Sequence, residues 1–173
     1  MIIGILAMDS NKGIGLNNSI PWHNSDDMKH FKNTTDGQYV ILGSTTYKGL
    51  IPLFKKEVLP NRKKFVLSNR DYVGNELGFS FKDIVKLCQK HNDVYYIIGG
   101  KTIYDLFGEN NLYKKLIVTF IDGVYNCDTY MDNMIFFEDF KSVMYFNTMF
   151  EIEQEQQITN GVIRTYAKQF TLF

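Results

Sequence analysis

The sequence predicts an α/β fold: a mostly parallel central sheet flanked by helices, with an antiparallel hairpin near its C-terminal end. Three observations lead there. Residues 2–8, 39–42 and 94–98 are short, nearly unbroken apolar runs, as strands covered on both faces require. The second and third of these runs end in glycine and pass directly into helical spacing, the alternation expected of a parallel sheet. Beyond residue 115 the periodicity becomes that of strands, and residues 143–153 and 162–170 flank Asn160-Gly161, a hairpin turn pair.

The elements follow in order. After the first strand, Gly13, Gly15 and Pro21 mark a loop. Ser25 begins a helix with Asp26 and Asp27 in its first turn, where negative charge suits the dipole, and with Met28 and Phe31 on one side. The strand at 39–42 ends at Gly43, and Ser44 opens a helix through Leu50. Pro60-Asn61-Arg62 is a turn, residues 64–67 form a strand, and the polar, glycine-containing stretch 69–78 reads as loop. Residues 81–91 read as a helix, acidic at Asp83 and basic at Lys90 and His91, with Ile84, Leu87, Cys88 and His91 on one face. The strand at 94–98 meets Gly99-Gly100, followed by a helix at 101–107 and a strand at 116–121. The acidic, glutamine-bearing stretch 151–157 reads as an exposed strand edge. No repeat or linker interrupts the chain, so residues 1–173 read as one domain.

Composition narrows the function classes. Acids and bases balance at 19 each, with lysines scattered rather than striped, so neither nucleic acid nor an anionic membrane is an expected partner. No signal peptide and no apolar run of membrane-spanning length is visible. Two cysteines, Cys88 and Cys127, suggest a reducing compartment, and a cytoplasmic location is expected.

Several residues carry possible chemistry. Asp27 and Phe31 lie four apart on a helix and share a face, so a carboxyl sits beside an apolar ring. Burial there raises an acid's pKa and leaves a proton donor aimed into a pocket. Asp26 fits the surface, dipole-complementing role better, leaving Asp27 to face inward. Two strand-to-helix junctions, Leu42-Gly43-Ser44-Thr45-Thr46 and Ile98-Gly99-Gly100-Lys101-Thr102, aim free N–H groups at an anionic ligand above the sheet. Gly100-Lys101-Thr102 ends like a P-loop, but Tyr95 stands where that motif needs its first glycine, which excludes a nucleoside-triphosphatase. Cys88 and His91 lack a second pair at ligand spacing, so no metal is expected.

The segment Ile14-Gly15-Leu16-Asn17-Asn18-Ser19-Ile20-Pro21-Trp22, followed by Asp27 and Phe31-Lys32, resembles the opening of dihydrofolate reductase, with the first acid of that pattern displaced to Asp9. The resemblance continues through Thr35, Ile41-Leu42-Gly43, Thr46-Tyr47 and Leu59-Pro60-Asn61-Arg62. It extends to Leu67-Ser68, Ile98-Gly99-Gly100, Tyr104, Thr119, Ile121-Asp122 and Asp128-Thr129.

It implies NADPH-dependent reduction of dihydrofolate to tetrahydrofolate, serving one-carbon metabolism and thymidylate synthesis. Hydride would pass to C6 and a proton to the adjacent ring nitrogen, in a monomer whose pocket also accepts antifolates. By position, the resemblance assigns Asp27, Trp22, Thr119 and Tyr104 to catalysis. Ile5, Ala7, Met28, Phe31, Leu50, Leu59 and Ile98 would line the substrate pocket, with Lys32 at its margin and Arg62 on the glutamate tail. Ala7, Ile14 and Tyr104 would surround the nicotinamide. Gly43, Ser44, Thr45, Thr46, Gly99, Gly100, Lys101 and Thr102 would hold the cofactor phosphates, with Leu67, Ser68 and Asn69 at the adenosine end. Residues 13–22 resemble a mobile lid, supported by residues 122–128.

Three positions depart from the family pattern: Ser44 replaces a frequent basic residue, Ile20 a frequent methionine, and Cys127 a frequent glycine. Arg70, Lys63 or Lys101 could supply the missing charge. Two other readings are another reductase of this fold, acting on a pyrimidine of flavin synthesis, and a non-catalytic binding protein.

Overall fold

The computed structural model describes residues 1–172. Its elements are β1 (Ile2–Met8), β2 (Gly13–Gly15), α1 (Ser25–Thr35), β3 (Tyr39–Gly43), α2 (Ser44–Leu50), a single 3-10 turn (Ile51–Leu53), β4 (Lys63–Leu67), β5 (Tyr72–Val73) and β6 (Glu76–Phe79). There follow α3 (Phe81–Lys90), β7 (Tyr95–Gly99), α4 (Lys101–Glu109), β8 (Lys115–Ile121), β9 (Thr129–Tyr130), β10 (Met134–Phe137), β11 (Ser142–Tyr145), β12 (Thr148–Ile158) and β13 (Gly161–Thr171). One mixed sheet runs in the order β10-β11-β12-β13-β8-β1-β7-β3-β4-β6-β5, with β2 and β9 paired separately.

Its centre is parallel: β8, β1, β7, β3, β4 and β6 run together, and β13 joins antiparallel to β8. Burial on both faces explains why these strands read as continuous apolar runs: Met8, Ile41, Ile97 and Val118 are fully buried. Because β7 lies between β1 and β3, the C-terminal ends of all three open on the same edge, with Leu42 opposite Gly99. Ligands of open α/β sheets bind at such an edge.

The antiparallel flank is larger than one hairpin. The stretch 143–153, expected as one strand, is broken into β11 and β12 by the two-residue turn Phe146-Asn147, with Phe146 at φ 54°. Apolar residues stand close on both sides of that turn, so the sequence reads as one run. The strands β9 and β10 were likewise missed. Residues 69–78 are not simply loop: β5 and β6 pair as a hairpin around Gly74-Asn75, where Gly74 takes φ +60°. The stretch 151–157 is an open edge only in part, since Glu151 pairs with Ser142 and the Ile152 N–H donates to Lys141 O at 2.8 Å.

Candidate active site

The placement of Asp27 starts at the helix cap. Asn24 caps α1, its Oδ1 accepting from the Asp27 backbone N–H at 3.0 Å and its Nδ2 donating to Thr159 O at 2.8 Å. Asp26 turns outward and accepts from Thr159 N at 2.9 Å. The β12–β13 turn is thus clamped to the first turn of α1, and Asp27 faces the sheet. There its Oδ1 accepts a hydrogen bond from Thr119 Oγ1 at 2.6 Å. Thr119, near the end of β8, is 2% exposed. Burial raises the Asp27 pKa above the usual carboxylate value, opposed by the Thr119 hydroxyl and by the charge of His30. The group retains a proton more readily than a surface aspartate does.

The apolar residues expected around this carboxyl fall into two buried clusters. Ile5 belongs to one buried cluster and Leu59 to another, and Phe31 and Ile98 pack against both; Leu50 joins the second. Met28 is 58% exposed and Lys32 is exposed, so both stand at the margin. Arg62 is held by its Nε donating to Thr35 Oγ1 at 3.1 Å and Nη1 to Pro60 O at 2.8 Å. Those bonds leave the outer guanidinium N–H groups free for a planar carboxylate. The buried Tyr104 hydroxyl donates to Ile5 O at 2.7 Å. Burial, then the negative Asp27, raises its pKa, so it acts as a fixed donor tying α4 to β1.

The two glycine junctions meet. Gly43 and Gly100 cap α2 and α4 without any side-chain hydrogen bond, leaving first-turn N–H groups for an anion. A Cβ on Gly43 would lie 2.9 Å from Ile103 and 3.8 Å from Gly99 O, and one on Gly100 3.1 Å from Thr46 Oγ1. Gly99 takes φ +129°, a conformation that side chains rarely permit. Thr45 and Thr102 are exposed beside these junctions. A pyrophosphate suits this cradle of bare backbone. Ser44, Leu67, Ser68, Asn69 and Arg70 line one groove of about 400 Å³. Of the three candidate cations, only Arg70 borders that groove. Lys101 is paired with Asp105 at 3.0 Å, and Lys63 lies over the Tyr39 ring at 4.7 Å, at the opposite end of the strands from Gly43.

The expected lid is partly a strand: β2 pairs with β9, bringing Gly13 opposite Tyr130 and Gly15 opposite Thr129. Asp128 accepts from Asn17 N at 2.9 Å and donates its own N–H to Gly15 O at 2.9 Å. Asp9, 1% exposed, accepts backbone N–H bonds from Asn11, Gly13 and Tyr125 at 2.8–2.9 Å, joining the lid to its supporting loop. A Cβ on Gly13 would meet Cys127 Sγ at 2.5 Å, so the cysteine sits where glycine makes room for it. Ile14 packs against the main core, Ala7 is half-buried, and Ile20 is exposed. Trp22 is buried edge-on to Tyr125, ring centroids 5.5 Å apart.

Asn24, Tyr125 and the bonding of Asp9 were not foreseen as site features; an asparagine immediately before a helix start was the available sign for the first. No group of three metal-ligating side chains occurs among the described residues, and burial pushes the Cys88 thiol up to about 11. No helix among them is long and apolar enough to cross a membrane.

Comparison with known proteins agrees with this geometry. Residues 1–167 match the family model described as dihydrofolate reductase. A dihydrofolate reductase of Staphylococcus haemolyticus is 33% identical over 142 residues, covering 80% of each chain. One of Lactococcus lactis subsp. lactis is 30% identical over 173 residues, covering 97% of this chain and 98% of the relative. The solved structure of dihydrofolate reductase from Enterococcus faecalis, complexed with NADP(H) and RAB-propyl, superposes with a TM-score of 0.77 at 25% identity, covering 98% of this chain and 97% of that one.

Proposed function

The chain belongs to the dihydrofolate reductase family and reduces dihydrofolate to tetrahydrofolate with NADPH, and we propose that Asp27 is the acid on which this activity turns. The observation that carries the proposal is the half-buried Asp27 carboxyl bonded to Thr119. Such a group binds the donor edge of a flat heterocycle and favours a proton on it. Phe31, Leu50, Leu59 and Ile98 supply the apolar walls, with Ile5 and Ala7 from β1 and Met28 at the margin. Arg62, already oriented by Thr35 and Pro60, pairs with a carboxylate of the substrate's tail.

The bare N–H groups at Gly43 and Gly100 fit the cofactor's pyrophosphate, with Thr46 and Thr102 beside them. Ser68, Asn69 and Arg70 receive its adenosine end. When bound, NADPH supplies the hydride that adds to C6 of dihydrofolate. The protein's part is orientation and exclusion of water: Tyr104 fixes β1 against α4, and the β2–β9 pairing holds the lid over the site. In this reading the enzyme acts as a monomeric single domain in the cytoplasm, supports one-carbon metabolism and thymidylate synthesis, and takes antifolates into the same pocket. Loss of NADPH absorbance on adding dihydrofolate tests the reading. Turnover of a pyrimidine intermediate of flavin synthesis in place of dihydrofolate would replace it.

A further inference from the structure

His30 stands three residues after Asp27 on α1, on the side facing the sheet. Its Nε2 is buried and has no hydrogen-bond partner among the described residues. His30 also walls a cavity of about 240 Å³ lined by Ile3, Ile117 and Ile163 as well as by Lys115, Glu153, Gln154, Gln156 and Thr165. Strand alternation places the cavity. Lys115, Ile117 and Thr119 share one face of β8, and β13 sets Ile163 opposite Thr119 and Thr165 opposite Ile117. The cavity therefore lies beneath α1 on the same sheet face as the Thr119–Asp27 bond. Its rim reaches solvent, since the Lys115 and Glu153 side chains are 35% and 39% exposed.

We propose that His30 is a positioning residue for the reaction: a second proton-binding group that sets the charge of Asp27 from behind, beside a cavity that opens to solvent at its rim. The proposal rests on the role assigned to Asp27. The polar groups that share the cavity with the imidazole are Lys115 from β8, Glu153, Gln154 and Gln156 from β12, and Thr165 from β13, and Asp27 on its own helix is the charge that acts on it. Lys115 and Glu153 are paired with each other, so Asp27 is the charge left for His30 to answer. An imidazole whose Nε2 bonds to nothing takes up a proton without breaking any existing contact. Burial lowers the His30 pKa and raises that of Asp27, while the charge of each group opposes the shift of the other. Burial draws the two titrations together and the attraction between the charges spreads them apart, so the midpoints belong to the pair.

Coupling of this kind is reciprocal, which gives a paired test. The His30 imidazole is followed by NMR across pH in the wild-type protein and in Asp27→Asn, and the pH dependence of kcat/KM is measured in His30→Gln and His30→Asn. The proposal predicts that Asp27→Asn lowers the His30 midpoint by about one pH unit. It predicts that both His30 variants move the Asp27 limb of kcat/KM upward by a similar amount, with little change in KM for dihydrofolate. An unmoved His30 midpoint overturns the proposal, as does a moved midpoint with an unmoved kinetic limb. The NMR result stands apart from turnover, so near-normal activity in Asp27→Asn would refute the role of Asp27 without imitating either outcome.

Discussion

The Thr119 hydroxyl donates to Asp27 Oδ1 at 2.6 Å, linking the end of β8 to the first turn of α1. Thr119 is in register with Ala7 of β1 and Ile163 of β13, so its hydroxyl is fixed by pairing on both sides. The carboxyl inherits that position from the middle of the sheet, while Asn24 and Asp26 hold its helix to the β12–β13 turn. A group placed by this many constraints needs little reorganisation to meet a substrate.

Thr119→Val keeps the shape of the side chain and removes the donor. Because that hydroxyl opposes the effect of burial, the Asp27 pKa rises further, and the carboxyl limb of the pH–rate profile moves upward. Urea denaturation is expected to show a loss of about 1–3 kcal/mol, the cost of a lost bond to a buried charged group.

Asp27→Asn separates stability from activity. The folded-state pKa of Asp27 lies above its unfolded value, so in that interval the folded state binds more protons and stability falls as pH rises. Above the folded pKa the penalty of the buried charge is complete. Below the ordinary carboxylate pKa both states are protonated and the penalty is absent. The variant therefore gains stability relative to wild type at neutral pH, and the difference shrinks on acidification, as melting temperatures at several pH values would show.

Asp9→Ala leaves the N–H groups of Asn11, Gly13 and Tyr125 without their acceptor. The expected cost is about 1–3 kcal/mol. The effect is local: amide exchange at Gly13 and Tyr125 accelerates, and KM for NADPH rises as the lid loosens, while exchange in the central strands changes only with global stability.

Arg70→Gln tests which cation serves the cofactor's adenosine end. Arg70 lines the groove with Ser44, whereas Lys101 and Lys63 are engaged elsewhere. The expected result is a KM for NADPH raised about tenfold with KM for NADH unchanged, the size of one lost charge-assisted contact. Equal effects on both cofactors would remove Arg70 from 2′-phosphate recognition.

Most of the parallel centre was legible in the sequence because strands buried on both faces leave unbroken apolar runs. The strands expected at residues 2–8, 39–42 and 94–98 appear as β1, β3 and β7 with ends shifted by no more than a residue. The antiparallel flank was less legible. Apolar residues recur on both sides of Phe146-Asn147, from Val143 to Tyr145 and again at Met149 and Phe150, and a two-residue turn consumes too little chain to separate them into two visible runs. At the site, the inward face of Asp27 and the position of the glycine junctions were readable from spacing, while the roles given to them came from the family resemblance. The bonding of Asp9 was not, because its donors lie 2, 4 and 116 residues away and are backbone groups that carry no side-chain signature. The orphaned Nε2 of His30 likewise depends on what β8, β12 and β13 bring beneath α1.

The most direct test of the site is turnover of Asp27→Asn at neutral pH, followed by NADPH oxidation with dihydrofolate under saturating cofactor. Turnover is expected to fall by about 10²- to 10⁴-fold, the range for loss of a positioned acid–base group, with an unchanged circular dichroism spectrum. A folded Asp27→Asn protein that turns over at the wild-type rate would contradict the central place of the Asp27 carboxyl in the reaction.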